Sequence, residues 1–295
     1  MKDMRGLAFL PFLLLAASCA RDVAPEGFDE LVLCGRDEVF IVGPDGRKVW
    51  SWRATDRPEI PEELRPKFRS TDDCKPVDGG ARILITSSGG AAALVERATG
   101  RAVWWAAVVN AHSAELLPRD RVVVAGSYGE NGNRVVLFDL ASPMKTLFHD
   151  EFLSAHGFVW DEKRQALWAL GERELRAYRL KDWESATPSL ERAETFALPD
   201  NGGHDLRPVP GTPRLVLTTN PSVWTFDRDR KVFEIPEGFP EIDKVKSVDY
   251  HPRTGRIAVV RAETSFWAPR VRLLAPEDEI ILPDERLYKA RWLVR

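Results

Sequence analysis

Short apolar runs recur six times along this chain, and each run is four or five residues long. They lie at 31–34, 82–86, 121–125, 166–170, 214–218 and 256–260. Continuous apolar runs of this length are typical of β-strands that are buried on both faces. Each run is followed by a second apolar stretch and by turn residues such as Pro44-Asp45-Gly46, so the pattern predicts consecutive antiparallel hairpins.

A second kind of segment occurs six times. Five copies each precede one of the apolar runs, and the sixth lies at the C-terminus. Each such segment begins with a basic residue and continues into apolar positions. The six basic residues are Lys75, His112, His156, His204, Lys246 and Lys289. Their separations of 37 to 48 residues are in the range expected for one blade of a β-propeller.

The number of segments predicts how the propeller closes. The run at 31–34 has no such segment before it, and the segment that starts at Lys289 has no run after it. Pairing the last strand with the first run leaves no exposed sheet edge between the first and last blades. The sequence therefore predicts an all-β fold over residues 29–295: a six-bladed β-propeller in which the C-terminal strand joins the first blade.

One stretch, residues 53–73, interrupts the regular pattern. It contains three prolines and the helix-compatible residues 62–65, and it connects the first blade to the second. This connection lies on the face where the inner strands begin. The stretch is either a rim or lid over the channel or a surface loop without a role there.

The first residues have the pattern of a targeting segment. Lys2 and Arg5 precede an apolar run at 7–17, which is too short to span a bilayer. The run ends in Leu15-Ala16-Ala17-Ser18-Cys19, which resembles a bacterial lipobox. We expect a signal peptide at 1–18, lipidation of Cys19 and a tether at 19–28. The protein would then be anchored in the cell envelope, at the outer membrane or the periplasmic face. The alternative is ordinary signal cleavage that leaves Cys19 free.

Charge and composition limit the possible partners. The chain has 295 residues, 42 basic and 45 acidic side chains, and a formal net charge of -3. Because the two signs are mixed throughout and form no basic face, we expect no nucleic acid partner. Contact with a membrane is expected only through the N-terminal lipid. Ten Trp, 21 Pro and 20 Gly fit many short strands joined by turns.

The predicted blades bring the six basic residues to one end of a central channel. Clustered cations repel one another unless an anion or a metal compensates them. We therefore expect a Lys/His-lined funnel that binds an anionic small molecule, or a saccharide that carries carboxylate or sulfate. His112, His156 and His204 come from adjacent blades, so they are also candidate catalytic residues and candidate metal ligands. The sequence assigns no cofactor.

Several phrases resemble known propeller repeats. Residues 93–104 resemble the repeat of quinoprotein-type propellers, and Gly203-His204-Asp205 resembles the structural Gly-His of WD repeats. Residues 46–52 and 203–211 are similar to segments of bacterial arylsulfotransferases, which are six-bladed propellers whose central histidines transfer a sulfuryl group. That similarity implies His204, His156 or His112 as the nucleophile. Taken whole, the chain resembles bacterial propeller lipoproteins to which no activity is attached.

Three functional hypotheses follow. The first is a lipid-anchored propeller that binds an anion in the funnel. The second is a histidine-dependent transferase or a metal-dependent lyase at the same place. The third is a propeller that docks a partner protein and in which the ring is structural. Cys34 and Cys74 lie in adjacent blades, where a disulfide, a thiolate metal site or two free thiols are all possible.

Overall fold

A computed structural model describes residues 29–294 and contains 24 β-strands. Blade 1 contains β1 (Glu30–Gly35), β2 (Glu38–Val42) and β3 (Lys48–Trp52). Blade 2 contains β4 (Thr71–Val77), β5 (Arg82–Ser87), β6 (Ala91–Glu96) and β7 (Ala102–Ala107). Blade 3 contains β8 (Ala111–Leu117), β9 (Arg121–Gly126), β10 (Arg134–Asp139) and β11 (Thr146–Glu151).

The second half of the chain repeats this arrangement. Blade 4 contains β12 (Gly157–Asp161), β13 (Ala166–Leu170), β14 (Glu174–Lys181) and β15 (Ser189–Ala197). Blade 5 contains β16 (Asp205–Pro208), β17 (Arg214–Thr218), β18 (Val223–Asp227) and β19 (Val232–Glu234). Blade 6 contains β20 (Val245–Tyr250), β21 (Ile257–Arg261), β22 (Arg270–Leu274) and β23 (Asp278–Ile281). The last strand is β24 (Lys289–Leu293).

The predicted closure is confirmed. Strand β24 pairs antiparallel with β1, so blade 1 has the order β24-β1-β2-β3 and every blade has four strands. The inner strands β4, β8, β12, β16, β20 and β24 lie side by side in a closed ring, because β24 also contacts β4. The prediction of an all-β, six-bladed propeller is therefore confirmed.

The apolar runs are continuous because each blade packs on two neighbours. Alternate residues of a strand point to opposite faces. In β1, Leu31 and Leu33 pack against blade 6, whereas Val32 and Cys34 pack against blade 2. One such apolar cluster fills each of the six interfaces between neighbouring blades.

The stretch at 53–73 packs into the fold and is not a loose surface loop, and Ser70 and Asp72 near its end line the opening of the channel, where a rim was expected. Two short 3-10 helices form at Ala54–Asp56 and Arg65–Phe68. Ile60, Leu64 and Phe68 are buried in the cluster between blades 1 and 2, and the Phe68 ring contacts Trp52 edge-on at 5.5 Å. The stretch therefore forms a packed wedge, and its end leads into β4 at the channel.

Two other expectations concern the cysteines and the N-terminus. Cys34 and Cys74 are both buried and both free. The predicted signal peptide, the tether and the lipidation site at Cys19 lie outside the described residues. Within residues 29–294, the structure contains no helix with the length and apolar character needed to cross a membrane.

Candidate functional site

Each blade places one side chain at the mouth of the channel. In β4, β8 and β20 this residue lies at a one-residue shift in strand register, and in the other three blades it directly precedes the inner strand. A β-bulge of this kind turns an extra side chain out of the regular alternation. The mouth ring consists of Asp72, His112, His156, His204, Lys246 and Tyr288.

The side chains of the mouth ring are close neighbours. The ring centroids of His112 and His156 are 4.2 Å apart, and those of His156 and His204 are 5.4 Å apart. Lys246 Nζ lies 3.1 Å from His204 Nε2. The Tyr288 ring lies 6.2 Å from that of His112, and Lys246 Nζ lies 6.0 Å from the centre of the Tyr288 ring. Residues from distant parts of the chain therefore converge at one opening.

These side chains surround a cavity of about 430 Å³. The rest of its lining is polar on one side and aromatic on the other: Ser70, Ser88, Asn110, Tyr128, Phe266 and Trp267. A second cavity of about 350 Å³, which Lys67 also lines, shares Ser88, Asn110 and Tyr128 with the first, so the two are adjacent. A larger cavity of about 590 Å³ lies at the outer part of blade 6, away from this chemistry.

The predicted basic ring of six is corrected by this geometry. His112, His156, His204 and Lys246 line the mouth, but Lys75 and Lys289 do not. Asp72 and Tyr288 occupy their places.

Lys75 and Lys289 lie deeper in the channel and contact carboxylates. Lys75 Nζ contacts Glu115 Oε2 at 3.2 Å and donates to the carbonyl of Phe158 at 2.7 Å. Lys289 Nζ lies 3.1 Å from Asp205 Oδ1.

A buried ion network closes the channel beneath the mouth. Arg291 donates to Asp205 through both terminal nitrogens, at 2.8 and 2.5 Å, and its Nε donates to Asp73 at 2.9 Å. Asp205, next to His204 in sequence, therefore pairs with Arg291 and Lys289 rather than with an imidazole. Burial alone raises the pKa of Asp73, but the charges of Arg291, Lys289 and Lys75 lower it to about 2. These charges stabilise one another.

The imidazoles of His156 and His204 are neutral near pH 7. Burial, followed by the charge of Lys246, lowers the pKa of His204 to about 3. Burial and the neighbouring histidines lower the pKa of His156 well below its usual value. Lys246 is affected in the same way, because burial and the charge of Lys289 lower its pKa to about 8.

The hydrogen bonds of His112 and His156 differ. Nδ1 of His112 lies 2.9 Å from the carbonyl oxygen of Asn110, which can only accept, so in the neutral ring Nδ1 carries the proton and Nε2 keeps its lone pair. Nδ1 of His156 lies 2.9 Å from the carbonyl oxygen of Ser154, but it also lies 2.9 Å from Ser154 Oγ and 3.2 Å from Ser127 Oγ, hydroxyls that can donate to it. Either nitrogen of the His156 ring can therefore carry the proton. Nε2 of His112 is 3.6 Å from Asp72, whose own pKa is raised by burial.

His204 differs from the other two histidines. Its Nε2 lies 2.8 Å from Asn220 Oδ1, while its Nδ1 is buried without a hydrogen-bond partner. Within residues 29–294, no group of three or more His, Cys, Asp or Glu side chains is arranged to hold a metal ion. The geometry therefore gives the predicted three-histidine metal site no support. A catalytic role for His112, His156 or His204 stays a prediction.

Comparison with known proteins gives a family but no activity. A family model described as a family of unknown function (DUF6528) matches residues 30–295, which include all six blades. A search of curated proteins found no match to this chain.

Proposed function

We propose that this chain, which belongs to the DUF6528 family, binds a carboxylate-bearing saccharide or a similar small anion at the mouth of its propeller. One observation carries the proposal. Lys246 is the only lysine or arginine in the described lining of the mouth cavity, and it has no ion-pair partner among residues 29–294. Lys75 and Lys289, which lie deeper, both have carboxylate partners. A buried ammonium without a counter-ion favours an anionic ligand.

The remaining groups suit the hydroxyl groups of a sugar. Nε2 of a neutral His112 ring can accept a hydrogen bond from a hydroxyl group, and Nε2 of His156 can accept or donate one, depending on its tautomer. Phe266, Trp267 and Tyr288 form an aromatic wall, where the C–H faces of a sugar ring can pack. The cavity volume is within the range of about 300–1,000 Å³ that is usual for small-molecule sites.

Anion binding should depend on the protonation of Lys246. A bound carboxylate favours the ammonium form, so the pKa of Lys246 must rise above about 8 in the complex. Affinity is then constant between about pH 6 and 7.5 and falls by up to about tenfold per pH unit above 8. His204 does not contribute in this range because its pKa is about 3.

Calorimetric titration with D-glucuronate and D-glucose tests the proposal, because the two sugars differ only at C6, where glucuronate has a carboxylate and glucose a hydroxymethyl group. Wild-type protein should bind glucuronate more tightly at pH 7 than at pH 9. Lys246→Gln should weaken glucuronate by about 10- to 100-fold, the value of one charge-assisted hydrogen bond. Lys145 is an exposed lysine outside the cavity, so Lys145→Gln is the matched control and should bind as wild type. Equal affinity for both sugars, or full affinity in Lys246→Gln, would refute the proposal.

We also propose that Cys19 carries a lipid that holds the propeller at the cell envelope. The proposal is supported by the resemblance of residues 15–19 to a lipobox. Mass spectrometry of the mature N-terminus should show a diacylglyceryl group on Cys19, and Cys19→Ser should release the protein from membrane fractions. An unmodified Cys19 in protein isolated from membranes would refute it.

A further inference from the structure

We infer that Lys246 is a nucleophilic amine that forms an imine with a carbonyl compound that also carries a carboxylate. The simplest compounds of this class are the 2-oxo acids, including those derived from sugars. The inference rests on the proposed function, because the same mouth cavity would hold the ligand while the amine meets the carbonyl carbon. It adds a covalent step to what would otherwise be a binding site.

The surroundings of Lys246 are those of a reactive lysine. The side chain is 5% exposed, and Nζ lies 5.5 Å from the centre of the Phe266 ring and 6.0 Å from that of Tyr288. An aromatic pocket and a nearby second cation both favour the neutral amine, which is the nucleophilic form. The second cation is Lys289, and the resulting pKa of about 8 leaves an appreciable fraction of neutral amine at pH 7.5.

The other buried lysines lack these surroundings. Lys75 contacts Glu115, and Lys289 lies 3.1 Å from Asp205 and 3.8 Å from Asp73. Burial lowers the pKa of Lys75 as well, but the carboxylate of Glu115 opposes this effect. Of these three buried lysines, only Lys246 also lines the mouth cavity.

His204 is placed to hold the neutral amine. Its Nε2 is 3.1 Å from Lys246 Nζ and 2.8 Å from Asn220 Oδ1. Because an amide oxygen can only accept, Nε2 carries the proton of the neutral ring, and the lone pair of a neutral Lys246 amine can also accept it. With a pKa of about 3, the ring does not act as the base, so His204 is a positioning residue.

The step balances with the groups present and solvent water. The lone pair of Lys246 Nζ forms a bond to the carbonyl carbon, and the carbonyl π electrons move to the oxygen. A water molecule carries one proton from the nitrogen to this oxygen, which gives a neutral carbinolamine. A proton from solvent then converts the hydroxyl group to water, and as this water leaves, the nitrogen lone pair forms the protonated imine. Its positive charge then compensates the ligand's carboxylate.

Reductive trapping tests the inference. Wild-type protein is incubated with pyruvate and sodium cyanoborohydride, which donates hydride to the imine carbon, and the product is mapped by peptide mass spectrometry. We expect one carboxyethyl group on Lys246, at least tenfold above the level on Lys145. The adduct should disappear in Lys246→Gln and persist in Lys145→Gln. Lactate, which lacks the carbonyl group, should give none.

Two further measurements distinguish a reactive site from general amine chemistry. The trapping rate at Lys246 should rise with pH to a plateau above about 8, whereas His204→Gln should slow trapping and change this profile. Labelling spread over the surface lysines, or a rate at Lys246 equal to that at Lys145, would overturn the inference. Circular dichroism and melting of each variant confirm that it is folded.

The outcomes also separate this inference from the proposed function. If glucuronate binds through Lys246 but pyruvate leaves no adduct there, the imine inference fails and the binding proposal stands. If pyruvate is trapped on Lys246 but glucuronate binds no better than glucose, the binding proposal fails and the amine chemistry stands.

Discussion

Replacing Asp205 by Asn tests whether the buried network holds the propeller together. Its side chain is almost fully buried, and it accepts hydrogen bonds from Lys289, from two nitrogens of Arg291 and from the backbone of Val248 in the next blade. Asparagine keeps the shape of the side chain and removes the charge. Lys289 and Arg291 would then share the carboxylate of Asp73.

Removing one partner from a buried ion pair costs about 3–5 kcal/mol, because the remaining charge stays desolvated without compensation. That is a large share of the roughly 5–15 kcal/mol that stabilises most domains. For a chain of this size it lowers the melting temperature by about 10 °C. Urea unfolding, followed through tryptophan fluorescence, should show a lower midpoint with an unchanged slope.

The matched control is Asp243→Asn, since Asp243 forms a partly exposed ion pair with Arg261 at 2.5 Å. Pairs of this kind contribute about 0–1 kcal/mol. The double variant Asp205→Asn/Lys289→Met should recover part of the lost stability, because it removes a cation that has lost its partner. The reasoning is wrong if Asp205→Asn costs no more than Asp243→Asn.

Three other predictions follow from the structure. The free energy of unfolding should fall as the pH decreases from about 6.5 to 5, because the unfolded chain takes up protons that the buried imidazoles of His204 and His156 do not bind. In His204→Gln, the slope of this free energy against pH should decrease by the equivalent of nearly one proton. An unchanged slope would contradict this. Trp292→Ala should lower the free energy of unfolding in urea by about 3–5 kcal/mol, because this buried ring packs the C-terminal strand against blade 6. A loss below about 1 kcal/mol would count against this role in closing the propeller. Gly35→Ala should lower the melting temperature far more than Gly79→Ala, because a Cβ on Gly35 would lie 1.8 Å from the carbonyl oxygen of Arg286. At Gly79 nothing lies within 4 Å, and an alanine there meets only the backbone strain of a φ of +62°. Equal melting temperatures would refute this.

The fold could be predicted because its signal is repeated and local. Each second strand is buried on both faces, so it appears in the sequence as an uninterrupted apolar run. The missing inner strand before Leu31 and the unpaired strand at Lys289 together required the observed closure. The packing of residues 53–73 was also visible in principle, since Ile60, Leu64 and Phe68 are spaced four residues apart.

The candidate site could be predicted only in part, because its register depends on bulges. Aligning the repeats by basic residues placed Lys75 beside His112, but the register shift in β4 puts Asp72 there, three residues earlier. In the same way, Tyr288 lies at the mouth and Lys289 one position deeper. A bulge adds one residue without changing composition, so the spacing alone could not locate it.

The distribution of charge along the channel separates structural groups from candidate functional ones. Asp73 and Asp205 balance Lys289 and Arg291, and this group of four carries no net charge. Its interactions are satisfied inside the fold, so a ligand would gain little there. Lys246 lies just above it, where it is desolvated and repelled by Lys289 and has no carboxylate to compensate it. Its unfavourable environment is relieved by releasing a proton, by binding an anion, or by forming a bond to a carbonyl carbon. The proposed chemistry therefore belongs to the mouth, and the deeper charges keep the mouth in place.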